Sequence, residues 1–267
     1  MMQALKTFIN VVNFATKKWS AKILWAKFRL RLEELGRSEA SGAKEWAKER
    51  SEDTSSFMAG LEADLYRETC LAVQKIVSKS VPKVRHLALD GIDLGGGGSI
   101  DLIYFICRII KPTYVLETGV AAGWSSYAIL EALSKNRKGH LDSSDLPYFR
   151  IEDPEKYIGI LVPDELRNAK NWRLETKGDS ENLNVFLAEP KKFSVIHYDS
   201  DKRKSSRLNF LERIEPWLAD NAVVIMDDIQ DNYAFKEYVS YKNYSFRIFE
   251  YEGKFVGVIF KGYFLVP

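Results

Sequence analysis

Apolar positions change their period along this chain, and the changes divide it into segments. Leu61, Leu65, Leu71, Val73, Ile76 and Val77 recur at helical spacing and predict a helix over 57–79. Gly95-Gly96-Gly97-Gly98 interrupts the pattern as a flexible loop, the edge of a lid or a tight entry to the next helix. Ser99 is then the candidate N-cap of an almost wholly apolar helix, 100–110. From Lys111 onward short apolar runs alternate with amphipathic stretches. Strands are expected at 113–117, ending near Asp145, at 172–176, 193–199, 222–227, 244–251 and 254–260. Helices are expected at 124–133, 163–169, 180–188, 205–218 and 232–240. Such alternation predicts an α/β fold, a mainly parallel seven-stranded sheet covered by helices on both faces. The last two strands, joined at Glu252-Gly253, form a closing antiparallel hairpin.

The opening residues read differently. Residues 1–35 predict a basic helix in which Lys6, Lys17, Lys18, Lys22, Lys27, Arg29 and Arg31 interleave with Phe8, Val12, Trp19, Ile23, Trp25, Phe28 and Leu32. Basic residues beside Trp and Phe suit peripheral contact with a membrane surface or an acidic partner; the plainer reading is an amphipathic helix packed on the domain or on a second subunit of a homo-oligomer. Residues 36–56 read as a polar linker or an exposed helix. The expected division is therefore 1–56, a helical basic N-terminal extension with its linker, and 57–267, the main α/β domain.

Bulk properties permit this picture and narrow it a little. With 267 residues, 46% of them hydrophobic and 13% aromatic, the chain can bury one large α/β core plus an appendage. A net charge of +2 gives no global case for nucleic acid as partner. Cys70 and Cys107 lack CxxC spacing and His86, His140 and His197 are scattered, so a zinc site is not expected and a reducing compartment is. No apolar run reaches the roughly 18–20 residues of a membrane span. The apolar opening is short and broken by Asn10 and Asn13, which argues against a signal peptide. The expected location is cytoplasmic, with membrane-peripheral attachment through residues 1–35 as the variant.

The chemistry concentrates at the predicted strand ends. Val115-Leu116-Glu117-Thr118-Gly119-Val120-Ala121-Ala122-Gly123-Trp124-Ser125-Ser126 runs from an apolar strand through a small-residue turn into a helix. That turn lets a ligand approach bare backbone, and the first N–H groups of the helix can hold an anion. Glu117 offers an acceptor to an ammonium or hydroxyl, so a ligand with both charges, such as S-adenosylmethionine (SAM), fits. Other strands end at Asp145, Asp199 and Asp227-Asp228, and one leads into Gly178-Asp179-Ser180. In an open α/β sheet these ends form one rim, where ligands bind. So many carboxylates require something positive among them: a sulfonium, a metal ion or lysines. No Gly-Lys-Ser/Thr follows the glycine run, G-x-G-x-x-G is not matched, and neither G-x-S-x-G nor a Ser-His-Asp arrangement is evident.

These motifs, together with Gly139-His140-Leu141-Asp142-Ser143-Ser144-Asp145-Leu146-Pro147, His197-Tyr198-Asp199-Ser200-Asp201-Lys202 and Ile225-Met226-Asp227-Asp228-Ile229, resemble class I SAM-dependent methyltransferases, in particular the small-molecule O-methyltransferase branch. The resemblance spans roughly 90–260 and implies a Rossmann-like domain. It implies that Glu117, Gly119, Ala121, Gly123 and Ser125 hold the methionine part of SAM, with Asp145 on the ribose hydroxyls, Asp179 and Ser180 at the adenine edge, and Asp199 facing the cofactor. It further implies a Mg²⁺-like ion on Asp199, Asp227 and Asp228, with Asp199 and Lys202 catalytic, the lysine as general base. Two departures stand out: Ala121 replaces the family's second glycine, and Asp228 replaces an Asn. His197 shares a strand face with Asp199 and reads as a packed histidine, with a base role as the sharper alternative.

The function expected is methyl transfer from SAM to an oxygen of a small-molecule acceptor, with a divalent metal. Tyr148, Phe149, Tyr157, Trp172 and Tyr233 are candidates for the acceptor pocket, and part of 146–165 is expected to lie over the site. Two rivals remain at this stage: a non-catalytic SAM-fold module docked by its basic N-terminus, and a metal-dependent hydroxylase on the same scaffold.

Overall fold

Among the described residues, the most apolar helix is also the most deeply placed. In the computed structural model, which describes residues 39–262 and, ahead of them, 7, 9–13 and 16, Ile100, Leu102, Ile103, Tyr104, Phe105, Ile106 and Cys107 of the helix Ile100–Ile110 are all buried. The helix Trp124–Asn136 is nearly as deep, with Ser125–Leu130, Ala132 and Leu133 buried. In chain order the helices are α1 (Ala40–Lys48), α2 (Thr54–Leu61), α3 (Ala63–Leu89), α4 (Ile100–Ile110), α5 (Trp124–Asn136), α6 (Asp164–Arg167), α7 (Asp179–Phe186), α8 (Lys204–Ile214) and α9 (Ala234–Lys242). The strands are β1 (Ser51–Glu52), β2 (Tyr114–Thr118), β3 (His140–Ser144), β4 (Trp172–Glu175), β5 (Phe193–Tyr198), β6 (Leu218–Met226), β7 (Ser245–Tyr251) and β8 (Lys254–Phe260).

One sheet runs in the order β1-β7-β8-β6-β5-β2-β3-β4. Only β8 is antiparallel to its neighbours, β6 and β7. Consecutive strand residues point to opposite faces, and here both faces are buried. Val115, Val195 and Val223 meet α4 and α5 in one core, while Leu116, Ile196 and Val224 meet Phe186, Phe210 and Phe235 of α7, α8 and α9 in the other. Two-sided burial explains why these strands read as continuous apolar runs. The chain passes from β2 outward through β3 and β4, then returns to place β5 on the other side of β2. This reversal opens a crevice at the carboxyl ends of β2 and β5.

Three expectations change. The sheet has eight strands, because Ser51 and Glu52 pair in parallel with Ile248 and Phe249; a two-residue strand has no periodicity to detect. Residues 40–48 are a helix that buries Ala43 and Ala47 and stacks Trp46 on Phe235 and Phe246, since small residues let it lie close. The helix expected over 57–79 is two, broken at Glu62, where the backbone is extended. The second continues to Leu89 through Pro82, although an interior proline removes one backbone hydrogen bond. The basic segment 1–35 falls outside the described residues apart from those few positions, of which 7 and 9–13 are helical. No described helix is long and apolar enough to cross a membrane.

Candidate active site

Beyond the carboxyl ends of β2, β3 and β5 lies a cavity of about 910 Å³. Its floor is the turn after β2. Gly119 has φ +86°, and a side chain there would stand 2.0 Å from the Asp199 carbonyl oxygen. Only glycine lets β2 and β5 converge so closely. Ala121 also adopts a left-handed backbone, φ +46°, so the departure from glycine carries strain on the order of 1 kcal/mol. Its N–H is anchored by Asp145 Oδ2 at 2.9 Å.

Gly119, Ala121, Asp145, Asp179, Ser180 and Asp199 all line this cavity. Glu117, Gly123, Ser125, Lys202, Asp227 and Asp228 do not. Glu117 is fully buried and accepts hydrogen bonds from Ser125 Oγ and Ser126 Oγ, both at 2.6 Å, and from Ser143 Oγ at 2.7 Å. Its negative charge lies beneath the turn, where it acts through space. Gly123, φ +95°, makes room for Gly159, whose Cα would lie 2.7 Å from a Cβ. That contact seats the segment after β3 across the turn, through Gly159 N–H to Ala121 C=O (2.8 Å) and Leu161 N–H to Ala122 C=O (2.9 Å).

Asp145 accepts from its own neighbour, Leu146 N–H, at 2.7 Å as well as from Ala121. Burial pushes its carboxyl up to about 7, with Asp179 and Glu117 adding repulsion against the pull of the two N–H groups. Asp179, the first residue of α7, accepts from Ser144 Oγ at 2.7 Å and from Ser200 Oγ. Asn182 was missed by sequence reading. Buried, it donates to Ser144 Oγ (2.9 Å) and Glu175 C=O (2.8 Å) and accepts from Lys177 N–H (3.0 Å). It thereby ties β3, β4 and α7 into one wall. An asparagine on a short helix carries no pattern that would have singled it out.

Behind Asp199, the one member of this group that lines the cavity, the carboxylates meet cations. Lys202 Nζ donates to Asp199 Oδ1 and lies 2.9 Å from Asp228 Oδ2. Asp228 also faces Lys254 at 3.4 Å and accepts from Gln230 Nε2 at 3.2 Å. His197, 1% exposed, has Nδ1 3.9 Å from Glu117 and Nε2 3.7 Å from Asp227. Burial opposes a charge on its imidazole, yet the two carboxylates outweigh it and push it up to about 10, so His197 is an imidazolium at neutral pH. Lys202 is likewise raised: burial pulls it down, and Asp199 and Asp228 overcome that. Asp228 is lowered, because Lys202 outweighs its burial. Asp199 is raised, by burial and by the neighbouring charge of Asp227. Behind the turn, Arg207, wholly buried, donates to the carbonyls of Asp227 (3.1 Å) and Asp228 (2.9 Å).

The donor set for a divalent ion does not fit. Asp199, Asp227 and Asp228 are each engaged by Lys202, His197 or Lys254. Among the described residues no group of three His, Cys, Asp or Glu side chains could hold a metal ion. The aromatic candidates divide: Tyr148 and Tyr157 line the cavity and Phe149 does not. Trp172 instead donates to Ser143 Oγ at 2.9 Å, and Tyr233 packs on Gly42 and Lys236. Leu146, Tyr148, Pro154, Tyr157 and Ile158 bring the irregular segment over the site, as its interruption of the alternation suggested. Ser99 precedes α4 without capping it; its hydroxyl turns to Asp227 Oδ1 at 3.4 Å.

Residues 116–229, which contain the turn, the rim and the segment over the cavity, match a family described as a methyltransferase domain. The matched segment is similar to methyltransferase domains, and the fold around it is the one SAM-dependent methyltransferases share. A curated relative, ribosomal RNA large subunit methyltransferase E of Methanosphaera stadtmanae, is 25% identical over 140 residues, 52% of this chain and 68% of its own length. An O-methyltransferase from Bacillus cereus, solved with SAH, superposes with a TM-score of 0.53 at 14% identity, over 71% of this chain and 90% of its own. The TomG O-methyltransferase of tomaymycin synthesis from Streptomyces achromogenes, solved with SAM, gives 0.52 at 17% identity, over 72% and 90%. At these identities the structures share the methyltransferase fold.

Proposed function

We propose that this methyltransferase domain moves the methyl group of SAM to an oxygen of a small-molecule acceptor. The observation that carries the reading is the cavity at the strand-order reversal, with Gly119 and Ala121 as its floor, Asp145 and Asp179 on one wall and Asp199 on the other. SAM's ribose diol suits a carboxylate that can accept two hydrogen bonds, which is Asp145's part. Asp179 and Ser180 take the adenine edge. Glu117 contributes negative charge from below to a cofactor that carries a sulfonium.

The sulfonium is an activated donor, so the protein's share of catalysis is alignment and removal of one proton. Lys202, held as an ammonium, is a poor base as it stands; Asp199, raised by burial and Asp227, is the member of the pair suited to accept the proton. The acceptor hydroxyl would lose its proton to Asp199 as its oxygen attacks the methyl carbon and the carbon–sulfur bond breaks. Lys202 steadies the oxygen's developing negative charge. No step runs through a metal, because the carboxylates that would bind Mg²⁺ are already matched. Tyr148, Tyr157, Leu146 and Ile158 suit a compact, partly apolar acceptor.

The test is transfer of labelled methyl from SAM by the full chain to a panel of hydroxylated small molecules, with SAM binding measured by calorimetry. Label in a methyl ether is the expected result; absence of SAM binding sinks the reading. Asp199→Ala is expected to lower kcat at least about 100-fold. Survival within about twofold, under roughly 0.5 kcal/mol of barrier, would remove Asp199 from the chemistry.

A further inference from the structure

We infer that Lys202 is a resident cation: its ammonium fills, within the protein, the place between Asp199 and Asp228 that a divalent ion would otherwise take. The inference deepens the functional reading above and rests on it.

Four observations converge on this lysine. Its Nζ contacts both carboxylates, Asp199 at the end of β5 and Asp228 after β6. Its backbone is pinned, since Asn232 Nδ2 donates to the Lys202 carbonyl at 2.8 Å, so the ammonium is delivered from a fixed point. Asp228 stands in a left-handed conformation, φ +56°, and both of its oxygens are used, Oδ2 by Lys202 and Oδ1 by Lys254 and Gln230. The third carboxylate, Asp227, faces His197 and Ser99 instead of the other two.

The electrostatics follow directly. Asp199, Asp227 and Asp228 face three cationic side chains, Lys202, His197 and Lys254, of which His197 is shared with Glu117, so most of the negative charge between Asp199 and Asp228 is already offset. A dication brought to Asp199 and Asp228 would meet an ammonium at contact distance and repel it strongly in this half-buried setting. It would also have to displace Lys202 from two partners at once. Asp228 therefore acts as the second anchor of the lysine. The acceptor then needs no second oxygen beside the one methylated, since there is no ion to chelate.

Mn²⁺ serves as the probe, followed by electron paramagnetic resonance and calorimetry on the full chain, with SAM binding and thermal melting as controls. The wild-type chain should show no Mn²⁺ binding tighter than about 1 mM and keep its SAM affinity after dialysis against EDTA. Lys202→Met, which keeps the stem and removes the charge, should leave SAM binding intact and gain at least tenfold in Mn²⁺ affinity, because Asp199 and Asp228 are released. One tightly bound Mn²⁺ per wild-type chain overturns the inference. So does a folded, SAM-binding Lys202→Met that gains no affinity. If the variant does not fold, the wild-type titration alone still decides. Failure of the wild type to bind SAM would instead sink the functional reading, whatever Mn²⁺ does.

Discussion

The two halves of the rim satisfy their carboxylates in opposite ways. On the β2–β3 side, Glu117, Asp145 and Asp179 are held by neutral donors: three serine hydroxyls for the first, two backbone N–H groups for the second, two more serine hydroxyls for the third. On the β5–β6 side, Asp199, Asp227 and Asp228 are matched by charged Lys202, His197 and Lys254. Neutral donors fix a carboxylate's position without cancelling its charge, although burial holds Asp145 close to half-protonated at neutral pH. Cations cancel the charge. On the function proposed above, the first half suits a positive ligand and the second an acceptor, and His197, between Glu117 and Asp227, joins them.

The sharpest way to break this contrast is Glu117→Ala. It leaves Ser125, Ser126 and Ser143 without their common acceptor and His197 with one carboxylate, so unfolding in urea should show a loss of about 3–5 kcal/mol. A loss below about 1 kcal/mol would mean that the buried array is incidental. The next effect is on binding. Asp145 titrates near 7, so SAM affinity should weaken several-fold as pH falls from 8 to 6 and the carboxylate, the better acceptor for the ribose diol, takes up a proton. The sign for stability is opposite. Because burial raises this acid above its unfolded value, the folded state holds the proton more tightly, and Asp145's ionisation costs stability as pH rises towards 7. In Asp145→Asn both dependences should flatten; a binding profile unchanged from wild type would exclude Asp145 from the cofactor contact. The smallest effect belongs to Lys254→Ala. Its side chain is 69% exposed and its pair with Asp228 long, so melting should register no more than about 0.5–1 kcal/mol. A larger loss would show that this half of the rim depends on Lys254 as much as on Lys202.

The strand–helix alternation, the glycine turn and the row of acidic strand ends were all legible in the sequence, because a parallel sheet buried on both faces leaves unbroken apolar runs that end where the polar rim begins. Asp145, Asp179 and Asp199 could be placed for the same reason. Glu117 could be located but not aimed. Whether a carboxylate at a strand end points into the crevice or beneath the turn depends on Ser125, Ser126 and Ser143, which come from two other elements. Ser51–Glu52 and Asn182 gave no signal, because each acts through partners distant in sequence.

What the sequence determined by itself was the order of elements and the sign of the charge at their ends, both local properties of hydrophobic period and residue type. Only the tertiary structure decided what answers that charge. It folded Lys202 back onto Asp199, brought Asp228 across from β6 to meet the same ammonium, and buried His197 between two strand ends. These pairings depend on side chains converging from separate strands, and a one-dimensional pattern does not record such distances.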